Sequence, residues 1–356
     1  MCEFIHTFSA KTLLSAKEKD ALTSAYRNDI FYISTDNKRF IFCKYAKNGL
    51  RINIEYTDPK KKRYDTGHRE FEIELIITPA KLLYPNEAIK KLYTIEEYKL
   101  AFKKLEEIFE EIRLASGVSL WNETKIQRVD ITKDISTESD AYSREVIRLA
   151  KLSLHKTGYH LWIPSQEDVD KTGWEEENST MFFNHNEEIL AKLYNKLMDL
   201  KDKDYDISDI KGLLRFELTL KRGFLKNHGL IQRGNNHIYE LSELFSILLD
   251  NAEGIMQKYI AGPMWSGNFL SKKLQKKYIK RYCKTRAAKY KKMMDYCDDC
   301  KKGIASCDGK VTDYFAELQL SPLHTSKEFA YIPSFARLLE GSENDKIKKY
   351  AEQKTR

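Results

Sequence analysis

The chain has 356 residues, 42% of them hydrophobic, which is enough to bury a sizeable core and to form about two domains. Lysine and arginine total 61 against 53 aspartates and glutamates, so the net charge is +8 and an anionic partner fits the balance. Two classes are excluded: no window approaches the roughly 20 apolar residues of a membrane span, and six cysteines, with Cys2 and Cys43 isolated, are too sparse for the disulfide framework of a small secreted domain.

The opening stretch, MCEFIHTFSAKTLL, has no basic segment leading into a long apolar core, so a cytoplasmic protein with free thiols is expected. RFIFCKYA and GLRINIEY, joined by a Lys-Asn turn, read as a hairpin, and REFEIELIITP reads as a third strand closed by Pro79. TIEEYKLAFKKLEEIFEEIRLASG carries apolar residues at helical spacing, a capping box from Thr94 to Glu97, and Gly117 at its end. KIQRVDITKDI alternates as a strand, STESDAYSREVIRLAKLSLHKTG reads as a capped helix, and TMFFN, EILAKLYNK and GLLRFELTLKR read as further strands.

The expected fold is therefore α+β, a largely antiparallel sheet with helices on one face, followed from Tyr239 by a helical, basic carboxy-terminal region. The composition places a boundary near residue 235, at RGNNH, dividing residues 1–235 from 236–356.

The chemistry lies in three middle strands. RVDIT places Asp130 among apolar neighbours and LRFELTL does the same for Glu217, each two residues after an arginine, Arg128 and Arg215. A carboxylate in such a strand must be paired or bound to a cation. One reading is an ion pair with the arginine on the same strand face. The other is that two or three carboxylates converge as a hard oxygen site for Mg²⁺ or Mn²⁺. In LAKLYNKLMDL, strand alternation would put Tyr194 and Lys196 on one face, with Asp199 beyond them. A tyrosine activated by a metal or a lysine can attack phosphorus.

TPAKLL (78–83), RVDIT (128–132), LYNKLMDL (193–200) and LLRFELTLKRGFLKNHGL (213–230) occur in the order and at about the spacing of the replication initiators of filamentous phages, the gene II protein family. The chain also resembles the rolling-circle plasmid initiators of the Rep_trans type over roughly residues 70–235. The resemblance implies a metal-dependent nicking and closing endonuclease in which Tyr194 is the nucleophile that forms a 5′-phosphotyrosine and frees a 3′-hydroxyl primer. It implies that Lys196 orients the scissile phosphate, and that Asp130, Glu217 and Asp199 hold the metal, with Asp199 standing where the family usually has glutamate. Asp134 is not acidic across the family and is expected to be solvated. The implied partners are origin DNA, single-stranded or cruciform at the nick, and a host helicase and polymerase; a homodimer stays open, and no membrane is implied.

Competing motifs fail. The histidines form no His-hydrophobe-His triplet, no Gly-x-x-x-x-Gly-Lys-Ser/Thr motor loop occurs, and DKDYDISDIKGLL lacks the glycine and the final acid of an EF-hand. His155 and His160 receive no ligand role. Cys283, Cys297, Cys300 and Cys307 are either irregularly spaced zinc ligands or ordinary free thiols.

Residues 271–294 hold eleven lysines and arginines and no acid, interleaved with Tyr278, Tyr282 and Tyr290. Lys272, Lys273, Lys276, Lys277, Lys280, Arg281, Lys284 and Arg286, together with Arg128 and Arg215, are candidate DNA contacts, with the tyrosines available to stack on bases. A solvated helix face with buried tyrosines is the plainer alternative. Two other functions stay open: a relaxase of a mobilisable element using the same chemistry, and a catalytically silent origin or operator binder.

Overall fold

The protein is described by a computed structural model covering residues 3–32, 39–42, 44–56, 69–87, 89–121, 124–156, 158–162, 180–201, 208–231, 237–302 and 308–340. In chain order the first elements are β1 (Phe4–Ser15), α1 (Ala16–Ala25), β2 (Ile30–Tyr32), β3 (Arg39–Phe42), β4 (Leu50–Tyr56), β5 (Arg69–Ile77), α2 (Pro79–Leu83), α3 (Ile95–Ser116), β6 (Lys125–Ser136) and α4 (Asp140–Ser153). There follow β7 (His160–Trp162), β8 (Thr180–Asn186), β9 (Ile189–Asn195), α5 (Lys196–Lys201), β10 (Leu213–Lys221), α6 (Arg222–Asn227) and α7 (Leu241–Met256). The last are β11 (Asn268–Ser271), α8 (Lys272–Tyr282), α9 (Ala287–Lys301), α10 (Gly309–Glu317), β12 (Leu320–Thr325), β13 (Tyr331–Ile332) and α11 (Phe335–Glu340).

The chain forms two compact units, Cys2–Thr132 with Thr219–Ala252, and Lys133–Leu218 with Glu253–Arg356. In the first, the strand order is β2-β3-β4-β5-β1-β6, and β1 to β5 pair antiparallel with their neighbours. The hairpin expected around residue 48 is β3 and β4. In β4, Leu50, Ile52 and Ile54 are buried while Arg51 and Glu55 are exposed, the alternation of a half-covered strand. Helices α1 and α2 pack on β1.

Helix α3 starts and ends where its sequence dictates. Thr94 Oγ1 accepts the Glu97 N–H at 3.3 Å, Glu97 accepts the Thr94 N–H at 3.1 Å, and Gly117 closes the helix at φ 76°. Its buried stripe includes Tyr98 and Phe102. Phe245 of α7 meets Phe8, Tyr98 and Phe102 edge-on, at centroid distances of 5.5, 5.2 and 5.1 Å.

In the second unit the strand order runs from β6 through β10, β9 and β8 to β7, with β7, β8 and β9 antiparallel. Helix α4 packs against β8 and β9. The carboxy-terminal helices surround a small core that includes Leu270, Ile279, Cys283, Met293 and Phe315. A three-stranded sheet, β12-β11-β13, stands among these helices, unannounced by the helical pattern from Tyr239 onward. Its strands are short, and β12 contains Pro322, so periodicity alone does not separate them from helix. Among the described residues no helix is long and apolar enough to cross a membrane. The RGNNH stretch, apart from His237, together with Cys307, lies outside the described residues.

Candidate functional site

Strands β9 and β10 are neighbours, and alternation decides what they present. Along β9, Ala191 and Leu193 are buried on one face while Lys192 and Tyr194 share the other, partly open face. Glu217 of β10 reaches both of the latter. Lys192 Nζ lies 2.6 Å from Glu217 Oε1, and the Tyr194 hydroxyl donates to Glu217 Oε2 at 3.3 Å.

Arg215, two residues before Glu217, is buried and turned onto Asp134 of β6: Nε donates to Oδ1 at 2.5 Å and Nη2 to Oδ2 at 2.7 Å. It also makes a hydrogen bond with Tyr194. The same-strand pairing of Arg215 with Glu217 gives way to cross-strand pairs, Arg215 with Asp134 and Glu217 with Lys192. Asp134 is therefore not solvated. It is buried, held by a guanidinium whose paired donors match a carboxylate. Arg215, expected to touch DNA, has its fork committed to Asp134.

Burial pushes the Tyr194 phenol well above its usual range, and the Glu217 charge adds to this, while Arg215 opposes it. Tyr194 is thus a neutral phenol near pH 7 that needs a proton acceptor to become a nucleophile. Glu217 Oε2 is placed to be one.

Lys196 does not share a strand face with Tyr194. The strand ends at Asn195, whose side-chain oxygen accepts the Leu197 N–H at 3.2 Å while its amide donates to Asp140 at 2.5 Å, and helix α5 begins at Lys196. Lys196 is buried and pairs with Asp199 one helical turn on.

In the other unit, Asp130 is buried, accepts the Thr219 hydroxyl at 2.7 Å and lies 3.5 Å from the Arg128 guanidinium. Here the same-strand arginine does face its carboxylate. Among the described residues no group of three or more His, Cys, Asp and Glu could hold a metal ion. Glu217 and Asp199 each face an ammonium, so these acids as placed do not fit a ready divalent site.

Of the basic run, Lys272, Lys273, Lys276, Lys277, Lys280, Arg281, Lys284 and Arg286 are all exposed. Helix α8 buries Gln275 and Ile279 and turns most of its lysines outward, with Lys272 paired to Asp298 at 2.8 Å. Tyr278 and Tyr290 pack on the core rather than standing free. Lys289 is withdrawn: its ammonium lies 3.8 Å from the Tyr314 ring centroid and 4.7 Å from that of Tyr282, and it pairs with Glu317 at 3.1 Å.

Burial raises the thiol pKa of Cys297, and holds that of Cys300 up at about 11. With Cys283 they are free thiols. Lys192 is the residue that sequence reasoning passed over. Its signal was present, a cation two residues before the tyrosine on an alternating strand.

No family model matches the sequence, and no curated protein matches it. Among solved structures, the rolling circle replication initiator protein from Geobacillus stearothermophilus aligns with 72% of this chain and 85% of its own, at 11% identity and TM-score 0.32. The chain is distantly similar to that initiator. It also aligns with the Methanococcus jannaschii TBP, over 71% of this chain and 99% of that one, at 11% identity and TM-score 0.29.

Proposed function

We propose that this protein nicks one strand of DNA with Tyr194 as nucleophile and thereby initiates rolling-circle replication at an origin. The observation that supports this best is the hydrogen bond from the Tyr194 hydroxyl to Glu217, which couples a neutral phenol on a partly open sheet face to a proton acceptor. In the step, the Tyr194 oxygen bonds to phosphorus, the bond from phosphorus to the 3′-oxygen breaks, the phenol proton passes to Glu217, and the 3′-alkoxide takes a proton from water. The products are a 5′-phosphotyrosine and a 3′-hydroxyl primer. Because the phosphotyrosine is still a diester, attack by a later 3′-hydroxyl closes the strand without ATP.

In this proposal residues 1–235 carry the nicking chemistry and residues 236–356 hold DNA, through the exposed lysines and arginines of α8 and the segment after it. Unwinding and extension fall to a host helicase and polymerase, since the chain has no motor loop. A relaxase would share every step and differ only in the fate of the strand. The silent-binder reading draws support from a specific observation: Glu217, Asp134 and Asp130 all have partners already in place, as structural carboxylates do.

Incubation of the full chain with a single-stranded oligonucleotide library and with supercoiled DNA, in Mn²⁺, in Mg²⁺ and in chelator, followed by peptide mapping of any DNA-linked product, separates these readings. An adduct at Tyr194 is expected, and the chelator arm measures whether an ion is required. DNA binding with no adduct on any substrate would favour the silent binder.

A further inference from the structure

We infer that Lys192, rather than Lys196, is the lysine that serves Tyr194, as a positioning residue acting through Glu217. This rests on the nicking reading. Lys192 and Tyr194 lie two residues apart on the same face of β9, whereas Lys196 opens the next helix and is buried against Asp199. The two oxygens of Glu217 are divided between them, Oε1 to the Lys192 ammonium at 2.6 Å and Oε2 to the Tyr194 hydroxyl at 3.3 Å. A carboxylate gripped at one oxygen cannot rotate freely, so Lys192 fixes the direction in which Oε2 meets the phenol.

The other charged groups around this face do not offer the same service. Arg215 is buried and has its fork on Asp134, and Asp199 adds negative charge that disfavours ionisation of Tyr194. The Lys192 side chain keeps 29% of its surface open, and an ammonium has three donors, so the contact with Glu217 leaves donors for a non-bridging phosphate oxygen. Its position matches the demand of the step. The cation stands beside the acceptor before the phosphodiester arrives and beside the added negative charge afterwards.

The test compares Lys192→Met, Lys192→Arg, Lys196→Met and Tyr194→Phe in the full chain, measuring DNA affinity and single-turnover formation of the covalent adduct on an oligonucleotide that the parent cleaves. Lys192→Met is expected to slow adduct formation about 100-fold at saturating DNA, the scale of a displaced general base, with a lower melting temperature, since Glu217 loses its ammonium, and a weaker DNA affinity. Lys192→Arg, which keeps the cation, should recover most of that rate, and the loss in Lys192→Met should exceed that in Lys196→Met. Adduct formation by Lys192→Met at the parental rate, or no rescue by arginine, overturns the assignment while the nicking reading stands. If the parent binds DNA but forms no adduct at Tyr194, the nicking reading and this inference fall together.

Discussion

Arg215 and Asp134, 81 residues apart in the chain, face each other through two hydrogen bonds of 2.5 and 2.7 Å with almost no exposure of either side chain. Removing one partner of such a buried pair leaves an uncompensated charge, at a cost of about 3–5 kcal/mol. Asp134→Ala should therefore lower the urea midpoint by an amount corresponding to that loss. Replacing both residues with apolar ones of similar volume, Asp134→Leu with Arg215→Met, should restore much of it. A single variant as stable as the parent would mean that Arg215 finds another partner.

Tyr194→Phe removes one oxygen, and with it the hydrogen bonds to Glu217 and Arg215. Folding should suffer by no more than about 1–3 kcal/mol, DNA affinity should hold, and covalent attachment should vanish. Gel-shift titration alongside denaturing electrophoresis reads both. An adduct persisting in this variant would move the nucleophile to another residue.

Burial and the nearby cations Lys301, Lys272 and Arg148, opposed by Asp298, hold the His324 imidazole down at about 4, against 6.5 for the free group. In that window the unfolded chain binds a proton that the folded chain refuses, so stability rises with pH. The contribution is complete above about 6.5 and is lost as pH falls toward 4. His324→Asn should flatten the stability profile between these limits, measured as denaturant midpoints at matched ionic strength. An unchanged slope would mean that other groups produce the acid loss.

The basic face should reveal itself through salt. Changing Lys273, Lys276, Lys277, Lys280 and Arg281 to Gln should weaken DNA binding and reduce the slope of log K against log salt, by about 0.7 for each lost contact to single-stranded phosphate. Lys289→Gln, which removes one positive charge, makes a control: buried between tyrosine rings and Glu317, it should leave the slope intact and lower the melting temperature instead. Equal slopes in parent and multiple variant would return α8 to a solvated face.

Much of the local structure was legible in the residues. Thr94, Glu97 and Gly117 mark both ends of α3, and Leu50, Ile52 and Ile54 mark the covered face of β4, because capping and periodicity act over a few residues and need no distant partner. The same alternation put Lys192 beside Tyr194, although the lysine's use was not visible without Glu217.

By itself, then, the sequence determined the β3-β4 hairpin, the capped helices α3 and α4, the antiparallel α+β class, the acidic residues within the strands and the basic character of α8. Tertiary structure decided which cation answers which carboxylate. Arg215 turns from its strand neighbour Glu217 to Asp134, Glu217 takes Lys192, Lys196 leaves the strand at Asn195, and Lys289 disappears beneath Tyr314. The physical reason is range. A helix cap or a strand face is settled by neighbours in the chain, but the partner of a charge depends on which strand lies alongside, and long-range pairing leaves no mark in local spacing.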